Sequence, residues 1–174
     1  ENNPIELTLT GKGPAVQGDK LKSGSPDLVP YKPSGWSDKI VVSKTTGTHT
    51  DDFPLLTTDN LYVDWAVLNQ GTLATAATFY ITLYVDGVQK GSWTKGPPLN
   101  ANSYTWYADH NIGQLEAGSH TLKIVADNTS LIAESNETNN EYTKTIIVSP
   151  PDLAPYLPSG WDSKVVVSKK TGTH

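Results

Sequence analysis

The chain has 174 residues and a formal net charge of −5, with 13 basic residues, all of them lysine, and no cysteine or methionine. Without cysteine, a disulfide framework, a cysteine-ligated metal site and thiol chemistry are excluded. Nucleic acid is not expected as a partner, because arginine, which grips phosphates and guanine edges best, is missing. No apolar run approaches the roughly 18 residues that a transmembrane helix needs. The abundance of Thr, Ser, Asn and Gly with few charges favours a secreted or cell-surface location.

One segment occurs twice in the chain. Residues 26–49, the first copy, read PDLVPYKPSGWSDKIVVSKTTGTH, and residues 151–174, the second copy, read PDLAPYLPSGWDSKVVVSKKTGTH. The copies differ at six of the 24 positions, and only Lys32 against Leu157 exchanges polar for apolar character. Such a close repeat indicates tandem duplication. We therefore expect residues 26–149 to form one complete module and residues 150–174 to form the first strand region of the next repeat.

Residues 1–25 are expected to hold a strand and a linker. Ile5, Leu7 and Leu9 alternate with polar residues, which is typical of a strand, and the following stretch is rich in Gly, Lys and Ser. The asparagines at positions 2 and 3 resemble those at 139 and 140, which precede the last predicted strand. The N-terminal strand is therefore either the end of a preceding module or an unrelated strand.

Within the module, the pattern predicts strands throughout. Prolines at 26, 30 and 33 favour an extended, irregular edge segment, and the first regular strand is expected over 39–44, with Ile40 and Val42 on one face. Residues 45–60 are expected to form a loop. Alternating apolar residues then predict strands at the following positions: 61–68, 79–85, 88–93, 103–110, 122–126 and 142–148.

Turn signals separate these strands and suggest how they pair. The dipeptide Asp86-Gly87 predicts a type I′ hairpin, because both of its central residues take positive φ. No stretch shows a convincing helical period. About seven strands with turns between them predict an all-β fold, an antiparallel β-sandwich like that of immunoglobulin or fibronectin type III domains.

Five short motifs occur in order along the module: PDL at 26–28, NQGT at 69–72, YVDG at 84–87, AGSHTL at 117–122 and ESNETNN at 134–140. Together they resemble CARDB, the cell-adhesion-related domain of bacteria and archaea, over about residues 26–149. The resemblance implies an immunoglobulin-like, non-catalytic extracellular module, often in tandem, in adhesins, surface proteins and secreted hydrolases. The PSGW sequence at 33–36 goes beyond the family pattern.

The densest polar cluster lies before the last predicted strand. Carboxylate and amide oxygens of this kind suit calcium, which takes six to eight oxygen ligands in irregular geometry. The same side chains also cap turns without any ion, and both interpretations remain open. The candidate calcium ligands are Asp127, Glu134, Asn136, Glu137, Asn139 and Asn140.

Catalysis is not expected, because the chain lacks a Gly-x-Ser-x-Gly elbow, a His-Glu-x-x-His motif and a phosphate-binding glycine loop. His174 repeats His49, which leaves His110 and His120 as independent candidates, each in or beside a strand. Asn128-Thr129-Ser130 and Asn136-Glu137-Thr138 have the form of N-glycosylation sequons.

The aromatic residues allow a second function. Five Trp and eight Tyr against two Phe favour rings with a polar edge, which suit either a sugar-binding surface or ordinary sandwich packing with hydroxyls in water. The candidate sugar-binding residues are Tyr80, Tyr84, Trp93 and Tyr107. A carbohydrate-binding accessory module of a secreted enzyme, with a polysaccharide or cell-surface ligand, is therefore the alternative to a structural role.

The primary expectation is an extracellular spacer or adhesion repeat whose partners are neighbouring copies or modules of the same protein. The two ends would either continue into a longer covalent chain or join neighbours head to tail by strand addition, which produces a fibre. The residues expected to carry self-assembly are Ile5, Leu7, Leu9, Trp161, Val165 and Val167.

Overall fold

The computed structural model describes residues 24–161 and 163–165. Every regular element within these residues is a strand. The strands are β1 (Leu28–Tyr31), β2 (Ile40–Ser43), β3 (Leu55–Leu56), β4 (Leu61–Asn69), β5 (Phe79–Val85), β6 (Val88–Lys95), β7 (Ser103–Gly113), β8 (Gly118–Ala126) and β9 (Glu141–Ser149).

The strands form two sheets. In the first, β4 pairs along its length with β7, while β1 and β2 divide its other edge, β1 opposite residues 66–69 and β2 opposite residues 62–65. In the second, the order is β3-β9-β8-β5-β6, and only the short β3 runs parallel to its neighbour. The predicted all-β sandwich is confirmed, with the core between the sheets.

Side chains from both sheets fill this core, as strand alternation requires. Its largest fully buried members are Trp65, Phe79, Leu28, Ile40, Leu61, Ile81, Leu83, Leu122 and Ile124. The predicted type I′ turn is also confirmed, because Asp86 has φ 50° and Gly87 has φ 78° between β5 and β6.

The described residues form nine strands rather than about seven, in part because the opening strand is interrupted. Residues 32–39 leave the sheet edge through a turn in which the Trp36 N–H donates to the Pro33 carbonyl at 3.2 Å, with Gly35 at φ 86°. Proline lacks an N–H and cannot continue the ladder there. Leu55–Leu56 adds a short strand within the stretch expected to be a loop.

The NQGT motif at 69–72 fastens the start of β1 to the sandwich. The Asn69 side chain is fully buried, and its Oδ1 accepts the Asp27 and Gly71 N–H groups at 3.1 Å each. Its Nδ2 donates to the carbonyls of Leu73 and Leu99 at 2.8 and 2.9 Å. One amide side chain therefore joins three separate stretches of backbone.

Gly71 provides the space for this junction. A Cβ at this position would lie 2.6 Å from Asp27 N and from Pro26 C, and would also meet the Ser25 carbonyl oxygen. These are backbone atoms, which cannot turn aside as a flexible side chain can.

We expect Gly71→Ala to lower the free energy of unfolding by about 1–3 kcal/mol, the usual cost of forcing extra volume into a packed site. Chemical denaturation measures the change. Gly96→Ala is the matched control, because a Cβ there meets nothing within 4 Å. Equal stability of the two variants would contradict the close packing of Gly71 against the opening strand.

Candidate functional site

The start of the first copy is bound by the β8–β9 loop, residues 127–140. Ser135 N–H donates to the Pro26 carbonyl at 2.9 Å, and Asn139 Nδ2 donates to Asp27 Oδ1 at 2.9 Å. The Leu28 N–H donates to Glu134 Oε2. The loop therefore holds the first copy by its main chain and by the Asp27 carboxylate.

Three of the six proposed calcium ligands cap turns in this loop. The buried Asp127 accepts the N–H groups of Leu131 and Ile132 at 3.0 and 2.7 Å. Glu137 Oε1 accepts the N–H of Glu134 at 2.8 Å. Asn136 Oδ1 is likewise occupied, by the N–H and hydroxyl of the residue two positions later. Across the residues described, no three or more His, Cys, Asp or Glu side chains are arranged to hold a metal ion.

The carboxyl group of Glu134 has a raised pKa. Burial raises its pKa to about 7, although the Leu28 N–H and the Asn140 amide both favour its charged form. The folded chain therefore holds this proton more tightly than the unfolded chain, so stability falls as pH rises between about 4.5 and 7. Beside it, the Oδ1 atoms of Asn139 and Asn140 are buried without a hydrogen-bond partner.

The PSGW sequence covers the outer face of the first sheet. Trp36 is only 8% exposed and packs on Val41 and Ala66, which point away from the main core and are nevertheless fully buried. Tyr31 packs against the same small cluster. The PSGW sequence therefore builds a second, outer apolar layer.

The end of the first copy completes this layer. The His49 ring stacks on Trp36, with centroids 4.4 Å apart and planes at 15°. Its Nδ1 lies 2.7 Å from Oδ2 of the buried Asp64, whose Oδ1 accepts the Asp109 N–H at 2.7 Å. Trp36 and His49, which are both repeated in the second copy, thus form one structural unit.

Each of the two other described histidines has a ring nitrogen within hydrogen-bond distance of a backbone carbonyl. His120 lies between Asp86 Oδ2, 2.7 Å from its Nδ1, and the Glu116 carbonyl, 2.8 Å from its Nε2. The hydrogen bond to Asp86 is the main reason that the pKa of His120 is raised. His110 Nε2 lies 3.0 Å from the Lys90 carbonyl and links β7 to β6.

The four predicted sugar-binding aromatics do not share one face. Trp93 lies opposite the buried Ile81 and packs at 5.0 Å on Trp65 and at 4.9 Å on Tyr107, at the side of the core. Tyr80, which is next to Ile81 along β5, points to the opposite face of that sheet. Tyr84 also lies outside the core, with the Lys123 ammonium 5.7 Å from its ring centre.

A different aromatic surface is more exposed. Tyr104 and Trp106, at alternate positions of β7, are 47% and 55% exposed and lie on the outer face beside the Trp36 layer. Tyr104 lies 5.4 Å from Tyr31, and Trp106 lies 6.2 Å from His49. We call Tyr31, Trp36, His49, Tyr104 and Trp106 the outer aromatic patch. The alternation along β7 is visible in the sequence, but it does not reveal which of its two sides faces outward.

The second copy repeats the local turn of the first but not its burial. Its Gly160 has φ 86°, and the Trp161 N–H donates to the Pro158 carbonyl at 3.1 Å. Leu153 is 87% exposed and Val165 is 74% exposed, whereas their counterparts in the first copy are fully buried. Four of the predicted assembly residues lie outside the described residues: Ile5, Leu7, Leu9 and Val167.

One difference between the copies falls on a polar contact. Asp38 in the first copy accepts a hydrogen bond from the Tyr142 hydroxyl at 3.0 Å and lies 3.1 Å from Lys144 Nζ. Although burial opposes its ionisation, the Lys39 N–H and Lys144 lower the pKa of Asp38. The second copy has Ser163 at this position and the aspartate one residue earlier.

Residues 26–144 match the CARDB family model. The chain belongs to the CARDB family. The match includes the β8–β9 loop, the NQGT motif and the whole first copy with its outer layer.

Two solved domains from archaea are similar to this CARDB chain. The CARDB domain of a Pyrococcus furiosus protein, crystallised in complex with di-metal ions, superposes with a TM-score of 0.52 at 16% identity, covering 73% of this chain and 96% of that one. A domain of a candidate cell surface protein from Methanosarcina acetivorans has a TM-score of 0.49 at 23% identity, covering 71% and 92%. Among curated proteins, none matches the chain.

Proposed function

We propose that this CARDB domain is a non-catalytic structural module of a secreted or cell-surface protein, and that its second copy connects it to the sandwich of a neighbouring chain. One observation carries the proposal: side chains that the sandwich buries in the first copy are exposed in the second. Among the described residues, no helix is long and apolar enough to cross a membrane.

The exposed surface of the second copy is large for so short a segment. Leu153, Tyr156 and Val165 are 87%, 78% and 74% exposed. Burying one such apolar side chain fully contributes about 1.5–3 kcal/mol, so this segment gains stability from any surface that accepts it. The surface that fits is the one that already binds the first copy.

The second copy has the same groups that make the contacts of the first copy. Those contacts use the Pro26 carbonyl, the Leu28 N–H and the Asp27 carboxylate. The second copy has the same residue types, Pro151, Leu153 and Asp152, in the equivalent positions. A second copy that displaces the first copy from this surface of a neighbouring chain would make a contact between two different surfaces, which continues from chain to chain as a fibre.

The inverted Ser-Asp pair weakens this fit, because Ser163 cannot replace the Asp38 carboxylate between Tyr142 and Lys144. Hydrogen bonds to charged groups contribute about 1.5–3 kcal/mol, which corresponds to at least about tenfold in affinity. Weak, concentration-dependent association is therefore the expected behaviour of the native chain.

Sedimentation velocity over a range of concentrations tests the connection. We expect the full chain to associate as concentration rises and a chain ending at Ser149 to remain monomeric. The double substitution Asp162→Ser/Ser163→Asp, which restores the residue order of the first copy, should associate at about tenfold lower concentration. Leu157→Lys is the matched control and should behave like the native chain, because Lys32 at the equivalent position is exposed.

Equal association of the full chain and the shortened chain would show that the second copy is not the connector. Association that the double substitution leaves unchanged would show that the second copy does not bind the surface that holds the first copy.

We further propose that a calcium ion binds the β8–β9 loop and stiffens the joint with the opening strand. The oxygens that support the proposal are the unpartnered Oδ1 atoms of Asn139 and Asn140 and the half-buried carboxylate of Glu134. Asp127 and Glu137 are occupied by backbone N–H groups, so the site would draw its remaining ligands from water.

Thermal unfolding in chelator and in added calcium tests the ion. Calcium that binds the folded chain should raise the melting temperature. At a calcium concentration a hundred times the dissociation constant, the free energy of unfolding rises by about 2.7 kcal/mol. The rise should be larger at pH 8 than at pH 6, because a proton competes for Glu134 below its pKa of about 7. Glu134→Gln should remove the response, whereas Asp86→Asn, at a carboxylate outside the loop, should retain it. Identical melting curves with and without calcium would leave the loop residues as turn caps.

The outer aromatic patch favours a second candidate function, binding of carbohydrate. Tyr104 and Trp106 present exposed rings from alternate positions of one strand, beside the His49 ring, which is 40% exposed. Rings with an apolar face and a polar edge suit the two sides of a pyranose ring.

We expect a binding oligosaccharide to change tryptophan fluorescence in the native chain and in Tyr80→Ala, which removes an exposed ring from the other sheet. Trp106→Ala should abolish the change. A flat response to a panel of glycans would contradict carbohydrate binding at this patch.

A further inference from the structure

The structure distinguishes the two sequons of the β8–β9 loop. Both asparagines are exposed, at positions 128 and 136, and each is followed two residues later by a hydroxyl. Sequence form alone makes them equivalent as acceptors of N-linked sugar. Their backbone and side-chain contacts differ.

At the second sequon, asparagine and hydroxyl are already paired. Thr138 Oγ1 donates to Asn136 Oδ1 at 2.7 Å, and the Thr138 N–H donates to the same atom at 3.1 Å. Within the described part of the chain, no residue accepts a hydrogen bond from Asn136 Nδ2. The carboxylate of the intervening Glu137 accepts the Glu134 N–H at 2.8 Å. The nitrogen that would accept a sugar is therefore exposed and uncommitted.

At the first sequon, the backbone is fixed in a tight turn against the sandwich. The Asn128 N–H donates to the Tyr80 carbonyl, and the Ser130 N–H donates to the Asp127 carbonyl at 2.9 Å. Asp127 and Ser130 both have positive φ, 45° and 52°, which few residues adopt readily. An enzyme would have to open this turn before it could hold the sequon in an active site.

We propose that Asn136 is an acceptor site for an N-linked glycan and that Asn128 is not. The donor is an oligosaccharide joined to a lipid through pyrophosphate. In the transfer, Nδ2 of Asn136 forms a bond with the anomeric carbon of the first sugar, the bond from that carbon to the pyrophosphate oxygen breaks, and Nδ2 loses one proton. The lipid pyrophosphate leaves with the electron pair of the broken bond.

A glycan on Asn136 would lie beside the residues that bind the opening strand. Glu134 and Ser135 bind Leu28 and Pro26 at the start of the opening strand. The side chains at 136–138 are exposed, so a glycan there would extend into solvent beside the joint and would leave these contacts intact. The inference rests on the proposed extracellular role, since glycan transfer of this kind acts on exported proteins.

Transfer to the folded chain in vitro tests the site independently of where the protein resides. The 174-residue chain is incubated with a single-subunit oligosaccharyltransferase and a lipid-linked oligosaccharide, and the product is read by intact mass and by peptide mapping. We expect one glycan per chain, on Asn136. Asn136→Gln and Thr138→Ala should lose the glycan, whereas Thr138→Ser and the matched control Asn128→Gln should retain it.

A glycan on Asn128, or no glycan on either asparagine in a reaction that modifies an unstructured acceptor peptide, would overturn the proposal. Circular dichroism of each variant establishes that it is folded before the reaction. Because sedimentation of the unglycosylated chain tests the connector role, failure of that role and failure of the acceptor site give separate results.

Discussion

The sandwich depends on the hydrogen bonds that hold the opening strand at its start. Asn69 binds Asp27 from 42 residues away, and Glu134 binds Leu28 from 106 residues away. The two contacts approach β1 from different sheets, one from the end of β4 and one from the loop before β9. Without them, β1 would be a four-residue edge strand interrupted by proline, which is weak by itself. The same contacts bring Leu28 into the core and carry Trp36 to the outer face.

This dependence explains why the two copies, which are nearly identical in sequence, differ in burial. The turn at Pro33–Trp36 and its counterpart at 158–161 have almost the same hydrogen bond and the same glycine φ, so the turn is a local property of the sequence. Burial is not local. Leu28 is buried because Asn69, Glu134 and the core accept it, and Leu153 is exposed because its copy has no such surface within the described chain. The stability of the segment therefore comes from the surface that receives it.

Alternating patterns predicted the strands from β4 to β9, each of which has at least seven residues, and the Asp-Gly pair predicted its hairpin. The outer layer could not be predicted, because strand alternation places Val41 and Ala66 on the face opposite the core. Trp36, which packs on them, and His49, which stacks on Trp36, come from other parts of the chain. The six calcium candidates follow one another closely in sequence and lie in or at the start of one loop, residues 127–140. Which of their oxygens are occupied by N–H groups depends on the turns themselves, and composition does not show it. The aromatic candidates were separated because strand alternation places Tyr80 and Trp93 on opposite faces.

Native-state hydrogen exchange at two equivalent amides tests the central claim most directly, because it reports how firmly each copy is held. In dilute solution we expect the Leu28 N–H to exchange as slowly as amides in the middle of β4, since it opens only when the sandwich unfolds. The Leu153 N–H, in nearly the same sequence, should exchange close to the rate of an unfolded chain and become protected as concentration rises. Exchange of Leu28 as fast as that of Leu153 in dilute solution would contradict a fold that depends on docking of the opening strand.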